Sequence, residues 1–102
     1  MLDVKGHAVP QSHYIDGSWI DGQNSYAVFS PIDGEKLGEM PAGTETDVQA
    51  AIASAHSAFP SWAALGAEGR LPMLKRFAEE IGQRADALCE VESADAGILL
   101  SR

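Results

Sequence analysis

The side chains in this sequence that could do chemistry are few and widely spaced. Its three histidines, His7, His13 and His56, share no i,i+3 or i,i+4 spacing. A metal centre needs three or four converging ligands, so they read as ordinary surface or half-buried imidazoles. The one cysteine, Cys89, sits between Leu88 and Glu90 with acids in excess nearby. An active thiolate needs a helix N-terminus, a cationic neighbour or a paired histidine, so Cys89 reads as a structural apolar residue. A single cysteine also excludes a disulfide framework and a CxxC-type zinc site. Asp16, Asp21 and Asp33 each precede a glycine, which is turn chemistry, and the acid ladder of an EF-hand is absent. Glu79-Glu80 and the set Glu90, Glu92 and Asp95 read as solvated helix faces. Gly17, Gly22, Gly34 and Gly38 form neither GxGxxG nor GxxxxGK[ST], so no phosphate cradle is written here.

Bulk composition narrows the classes further. The 102 residues carry seven Lys+Arg against fifteen Asp+Glu, a formal charge of −8. That balance argues against nucleic acid and anionic membrane as partners, since both demand clustered cations. No basic leader precedes an apolar run, and no segment approaches a membrane span, so a reducing cytoplasm is expected. With 45% hydrophobic residues the chain has globular composition, suited to one small domain or a piece of a larger one.

The elements that must position these residues follow from periodicity. Residues 1–12 read as a loose N-terminal arm. His13–Ile15 and Ser18–Ile20 flank Asp16-Gly17 as a hairpin. Ser25–Phe29 is a third strand closed by Ser30-Pro31, and Lys36–Met40 a weaker one ended by Pro41. After Pro41 the apolar period changes from two to 3.6. Thr44 with Asp47 three residues on predicts a capped helix start. Val48, Ala51, Ile52, Ala55, Ala58 and Phe59 fall on one face, and Pro60 is expected to stop that helix. A second helix carries Leu71, Leu74, Phe77, Ala78 and Ile81, starting near Leu71 or kinking at Pro72. A third runs from Ala85 to about Ala94, with Leu88, Cys89 and Glu92 inward or half inward and Gly97 as its stop. Ile98-Leu99-Leu100, ahead of Ser101-Arg102, has no element after it to bury it, and reads as a chain cut short. The residues by themselves give an α/β chain of strands then helices, with no catalytic constellation.

The order of motifs goes further. Tyr14-Ile15-Asp16-Gly17-Ser18-Trp19, then Phe29-Ser30-Pro31-Ile32-Asp33-Gly34-Glu35, resembles the opening of the aldehyde dehydrogenase family. The resemblance continues through Thr46-Asp47-Val48, Ala58-Phe59-Pro60-Ser61-Trp62 and Glu68-Gly69-Arg70, and ends at Glu92-Ser93-Ala94-Asp95-Ala96-Gly97. It covers about residues 13–102. Each piece is weak alone; their shared order and spacing make the case. Ser30 stands where the family usually has Asn, and Ala96 and Ile98 stand where Thr and Lys are common. Pro72 is a further departure.

The resemblance implies that residues 13–102 are the leading, incomplete part of a Rossmann-like NAD(P)-binding domain. Family members are several times longer, assemble as homo-oligomers and oxidise an aldehyde to a carboxylic acid. Their cysteine forms a thiohemiacetal, an Asn side chain and a backbone amide hold the oxyanion, hydride passes to NAD or NADP, and a glutamate activates water. The resemblance places all of those residues beyond Arg102, so no catalytic or cofactor-binding residue is assigned here and this chain alone is expected to be inactive. It also implies a possible monovalent cation site, for K⁺ or Na⁺, at the carbonyls of Val28 and Phe29 and the carboxylate of Asp95. The expected partner is the remainder of the enzyme or a completing subunit. Two other readings stay open: a non-catalytic module that docks on a partner chain, and an autonomous small domain with its own ligand.

Overall fold

A computed structural model describes residues 1–100; Ser101 and Arg102, the end of the apolar terminal stretch and of the 13–102 segment, lie outside the described residues. Six short strands precede three helices: β1 (Leu2–Val4), β2 (His7–Val9), β3 (His13–Ile15), β4 (Ser18–Ile20), β5 (Asn24–Phe29), β6 (Lys36–Ala42), α1 (Glu45–Ala64), α2 (Gly66–Gln83) and α3 (Ala85–Ala96). The strands form three antiparallel pairs, β1–β2, β3–β4 and β5–β6. The architecture is thus mixed α and β, strands first and helices after.

Residues 1–12 are not a loose arm. Leu2, Asp3 and Val4 pair with Val9, Ala8 and His7 around a two-residue turn. Lys5 (φ 55°) and Gly6 (φ 82°) both take the left-handed conformation that matches strand twist in such turns. The Asp3 carboxylate accepts from the Gly6 amide, and Val4 is buried, 7% exposed. The Asp16-Gly17 hairpin forms as its sequence requires, with Tyr14 opposite Trp19 and their rings edge to face at 5.0 Å.

β5 and β6 pair from Asn24–Ala42 to Phe29–Lys36, with a register slip between Val28 and Phe29. Pro41 does not end β6; it lies opposite Ser25 inside the ladder. A proline is tolerated there because β6 has only one neighbouring strand, so its missing N–H costs no ladder bond on the open side. Gly22 is needed for space rather than for its φ: a Cβ there would come within 2.6 Å of Pro41 Cβ.

α1 opens with a complete capping box. Thr44 Oγ1 accepts from the Asp47 amide, and Asp47 Oδ2 accepts from the Thr44 amide. Pro60 does not stop the helix, which runs on to Ala64. Proline removes one helical donor, and the carbonyl left over belongs to His56, an exposed residue. α2 likewise starts at Gly66, ahead of Leu71, and carries Pro72 inside it. Arg70 Nη1 reaches back to the Trp62 and Ala63 carbonyls at 3.4 and 3.3 Å, adding a donor at the end of α1, where the Leu65 amide also donates to Trp62. α3 closes on Gly97 (φ 71°), whose amide donates to the Ser93 carbonyl.

Packing is thin. The molecule measures 48 × 38 × 18 Å, and among the described residues the buried apolar ones are Val4 and Ala94. The α1 stripe read from periodicity lies in solvent: Val48, Ile52 and Phe59 are all exposed. Leu88, Cys89 and Glu92 are exposed as well, contrary to the inward placement expected from spacing. α3 instead turns Ala87, Val91 and Ala94 inward, because its small residues sit where the β1–β2 hairpin and the β5–β6 pair approach. No helix of the described residues is long and apolar enough to cross a membrane.

Candidate functional site

One place gathers residues from the first hairpin, the β5–β6 pair and α3. A groove of about 240 Å³ is lined by Leu2, Val4 and Val9 from the hairpin, Val28 and Met40 from β5 and β6, and Val91, Glu92 and Asp95 from α3. Each wall follows from local sequence. Alternation along β1 and β5 turns every second apolar side chain to one face. Leu2 occupies a notch over Gly38, where any Cβ would collide with its side-chain end. His7 Nε2 lies 2.9 Å from Glu90 Oε2 and ties the hairpin to α3.

Two of the three residues assigned to a cation, Val28 and Asp95, line this groove. The Phe29 side chain is exposed and does not line it, while the register slip at Val28/Phe29 frees local backbone groups from strict pairing. The next turn is tightly built. Ser30 is buried, its amide donates to the Glu35 carbonyl at 2.8 Å, and its hydroxyl accepts from the Ile32 amide. Asp33 Oδ1 accepts from the Glu35 amide. Pro31 of this turn stands against Gly97, where a Cβ would come within 3.2 Å of Pro31 Cγ. Pro31 and the end of α3 at Gly97 are therefore neighbours. The groove is lined mostly by hydrocarbon. Among the described residues no group of three His, Cys, Asp or Glu side chains is placed to hold a metal ion.

The other candidate residues separate into structural pairs. Asp16 Oδ1 accepts from Ser54 Oγ at 3.0 Å, fastening the β3–β4 turn to α1. Asp21 Oδ1 accepts from Ser12 Oγ at 3.0 Å. His13 Nε2 is buried without a hydrogen-bond partner, 3.8 Å from Asp47 Oδ2. The Thr44 amide and hydroxyl hold the Asp47 carboxyl below its ordinary value, with His13 adding a smaller pull. Cys89 is an exposed free thiol.

The N-terminus of α1, the natural anion site, already holds the Asp47 carboxylate, and Glu45 adds charge of the same sign. Leu65 and Arg84, ahead of α2 and α3, supply no side-chain cap.

Sequence reasoning missed the hairpin wall, the His7–Glu90 tie and the clasp made by Arg70. The alternation of Leu2 and Val4 around Lys5-Gly6 was the available signal for the first. Arg70 stood in the Glu68-Gly69-Arg70 motif, but its target lies on the preceding helix and has no signature of its own.

Comparison with known proteins places this arrangement. Residues 19–102 match the model of the aldehyde dehydrogenase family. The chain belongs to that family. It is 31% identical over 87 residues to the 5-carboxymethyl-2-hydroxymuconate semialdehyde dehydrogenase of Escherichia coli, covering 85% of this chain and 19% of that protein. It is 38% identical over 88 residues to the betaine aldehyde dehydrogenase of Rhizobium etli, covering 84% and 18%. It is 30% identical over 97 residues to the hydroxyisobutyraldehyde dehydrogenase of Mycolicibacterium austroafricanum, covering 93% and 19%. The chain thus spans about a fifth of the length of the curated relatives it matches. No solved structure matches it.

Proposed function

We propose that this chain is the leading segment, residues 13–102 with the 1–12 hairpin attached, of the Rossmann-like cofactor domain of a cytoplasmic, homo-oligomeric NAD(P)-dependent aldehyde dehydrogenase. The observation that carries the reading is the family match over residues 19–102, which takes in the Ser30–Glu35 turn and the Asp95–Gly97 helix end that lie side by side. In that enzyme the nicotinamide accepts hydride from the substrate. Residues of this chain do not supply the nucleophile. Their work is positional: the capping box starts α1 at a fixed point, Asp16 and Ser54 fasten the hairpin to it, and Gly97 and Pro31 fix where α3 ends. Val28 and Phe29 carbonyls with Asp95 form part of a K⁺ or Na⁺ site that braces this junction, and the remaining ligands come from other sequence.

A chimera tests the reading. Residues 1–102 replace the matched leading segment of the Rhizobium etli betaine aldehyde dehydrogenase, and NAD(P)-dependent oxidation of that enzyme's substrate is measured. The expected result is turnover within about tenfold of the parent, a loss below ~1.4 kcal/mol of transition-state stabilisation, with no turnover by 1–102 alone. A soluble, folded chimera without activity, or turnover by the isolated chain, would sink the proposal.

A further inference from the structure

We propose that His13 and Asp47 form a pH-gated latch that fixes the base of the β3–β4 hairpin to the first turn of α1, closed in mildly acidic solution and open once the imidazole has lost its proton. His13 begins β3 and stands opposite Ile20, the last residue of β4, so it marks the open end of the hairpin. Its side chain is 20% exposed, and its Nε2 is shielded from solvent without a hydrogen-bond partner. A polar atom in that position is costly unless it is paired. Asp47 Oδ2 lies 3.8 Å away, about an ångström beyond hydrogen-bond distance. The same oxygen accepts from the Thr44 amide at 2.9 Å, which holds the carboxylate in place and leaves it capacity for a second donor.

The surroundings favour a cation at His13. Residues 13–22 and 45–64 contain no Lys or Arg. The other titratable groups of the hairpin and α1 are Tyr14, Asp16, Asp21, Glu45 and His56. Asp16 is bound to Ser54, Asp21 to Ser12 and Glu45 to Gln49. Among the described residues, Asp47 is the carboxylate within ion-pair distance of the imidazole. Protonation makes both ring nitrogens donors and adds attraction to Asp47; loss of the proton removes that attraction. Thr44 keeps the Asp47 carboxyl below its ordinary value, so the anion is still present where imidazoles are charged. The turn of the hairpin is already tied to α1 by Asp16 and Ser54 at 3.0 Å. His13 therefore decides whether the hairpin is held at one point or at two.

The full 102-residue chain serves for the test. Amide exchange of residues 13–20 is measured, corrected for intrinsic rates, and His13 Nε2 and the Asp47 carboxyl carbon are followed by NMR titration. Taking the solution from about pH 8 to about pH 5 should raise hairpin protection roughly threefold, with both nuclei shifting through one midpoint. Protection should fall again in stronger acid, as Asp47 takes up its proton. His13→Gln should abolish the step. The double variant His7→Gln/His56→Gln, which leaves His13 as the one histidine, should keep it. No step in the wild type, a step that survives in His13→Gln, its loss in the double variant, or separate midpoints for His13 and Asp47 overturns the latch. The wild-type titration needs no substitution, so it decides the matter even where His13→Gln does not fold.

Discussion

His7 Nε2 on β2 and Glu90 Oε2 on α3 lie 2.9 Å apart and join the first hairpin to the last helix across 83 positions of sequence. Their side chains are 32% and 43% exposed, so this partly solvated hydrogen bond is worth about 0.5–1 kcal/mol. An isolated two-stranded hairpin is marginal in water, so even this contribution governs β1–β2. Glu90→Gln or His7→Ala should raise amide exchange of residues 3–9 roughly two- to fivefold and leave exchange in β3–β4 unchanged. Uniform loosening of both hairpins would contradict this role.

Gly22 tests close packing without invoking backbone strain. Gly22→Ala would set a methyl 2.6 Å from Pro41 Cβ and 3.3 Å from the Asn24 carbonyl. Neither neighbour is a flexible side-chain end, so overpacking should cost about 1–3 kcal/mol, read as a lower urea midpoint. Gly38→Ala meets only the movable end of Leu2, and its effect should be smaller and confined to β1.

The capping box has a pH signature. Thr44→Ala should cost about 1 kcal/mol through loss of the N-cap acceptor. Asp47 has a folded pKa lowered from its ordinary 3.8, chiefly by the Thr44 amide and hydroxyl. A depressed carboxylate contributes stability that is present in full above the unfolded value and lost as pH falls through the folded one. Helicity followed by circular dichroism should therefore differ most between wild type and Asp47→Asn above that range, and the two curves should converge as the solution is acidified below it. A gap that persists in strong acid would assign the effect to packing.

The cation proposal predicts ion-specific stabilisation in the chimera. Replacing choline chloride by potassium or sodium chloride at equal ionic strength should raise its melting temperature by a few degrees. Asp95→Asn should remove most of that increment. Equal response to choline would show general screening only.

Local chemistry was legible wherever cause and effect lay within a few residues. Asp16-Gly17, the Thr44–Asp47 box and the Gly97 stop could be read directly, because each is satisfied by its own neighbours. Pro60 and Pro41 were misread as terminators, and Pro72 as marking a helix start near Leu71 or a kink, whereas α2 begins at Gly66. Each removes one donor, which an exposed or edge position tolerates. The inward face of α3 was misassigned because Leu88 and Cys89 are the more apolar residues, yet the hairpin packs where the small ones are. Val28 and Asp95 were named from family resemblance and line one groove; no pattern within the chain links positions 67 residues apart.

The 18 Å thickness of the molecule has a calorimetric consequence. Heat capacity of unfolding scales with the apolar surface newly wetted, and the apolar side chains of α1 and α2 are wet already. The free chain should melt over a broad interval with a small heat-capacity step, well below the roughly 12–15 cal/mol/K per residue of ordinary domains. Burial of the α1 and α2 stripes should sharpen that transition. Substitutions at Ile52 or Phe59 would then be silent in the melting of the free chain and conspicuous in that of the assembled enzyme.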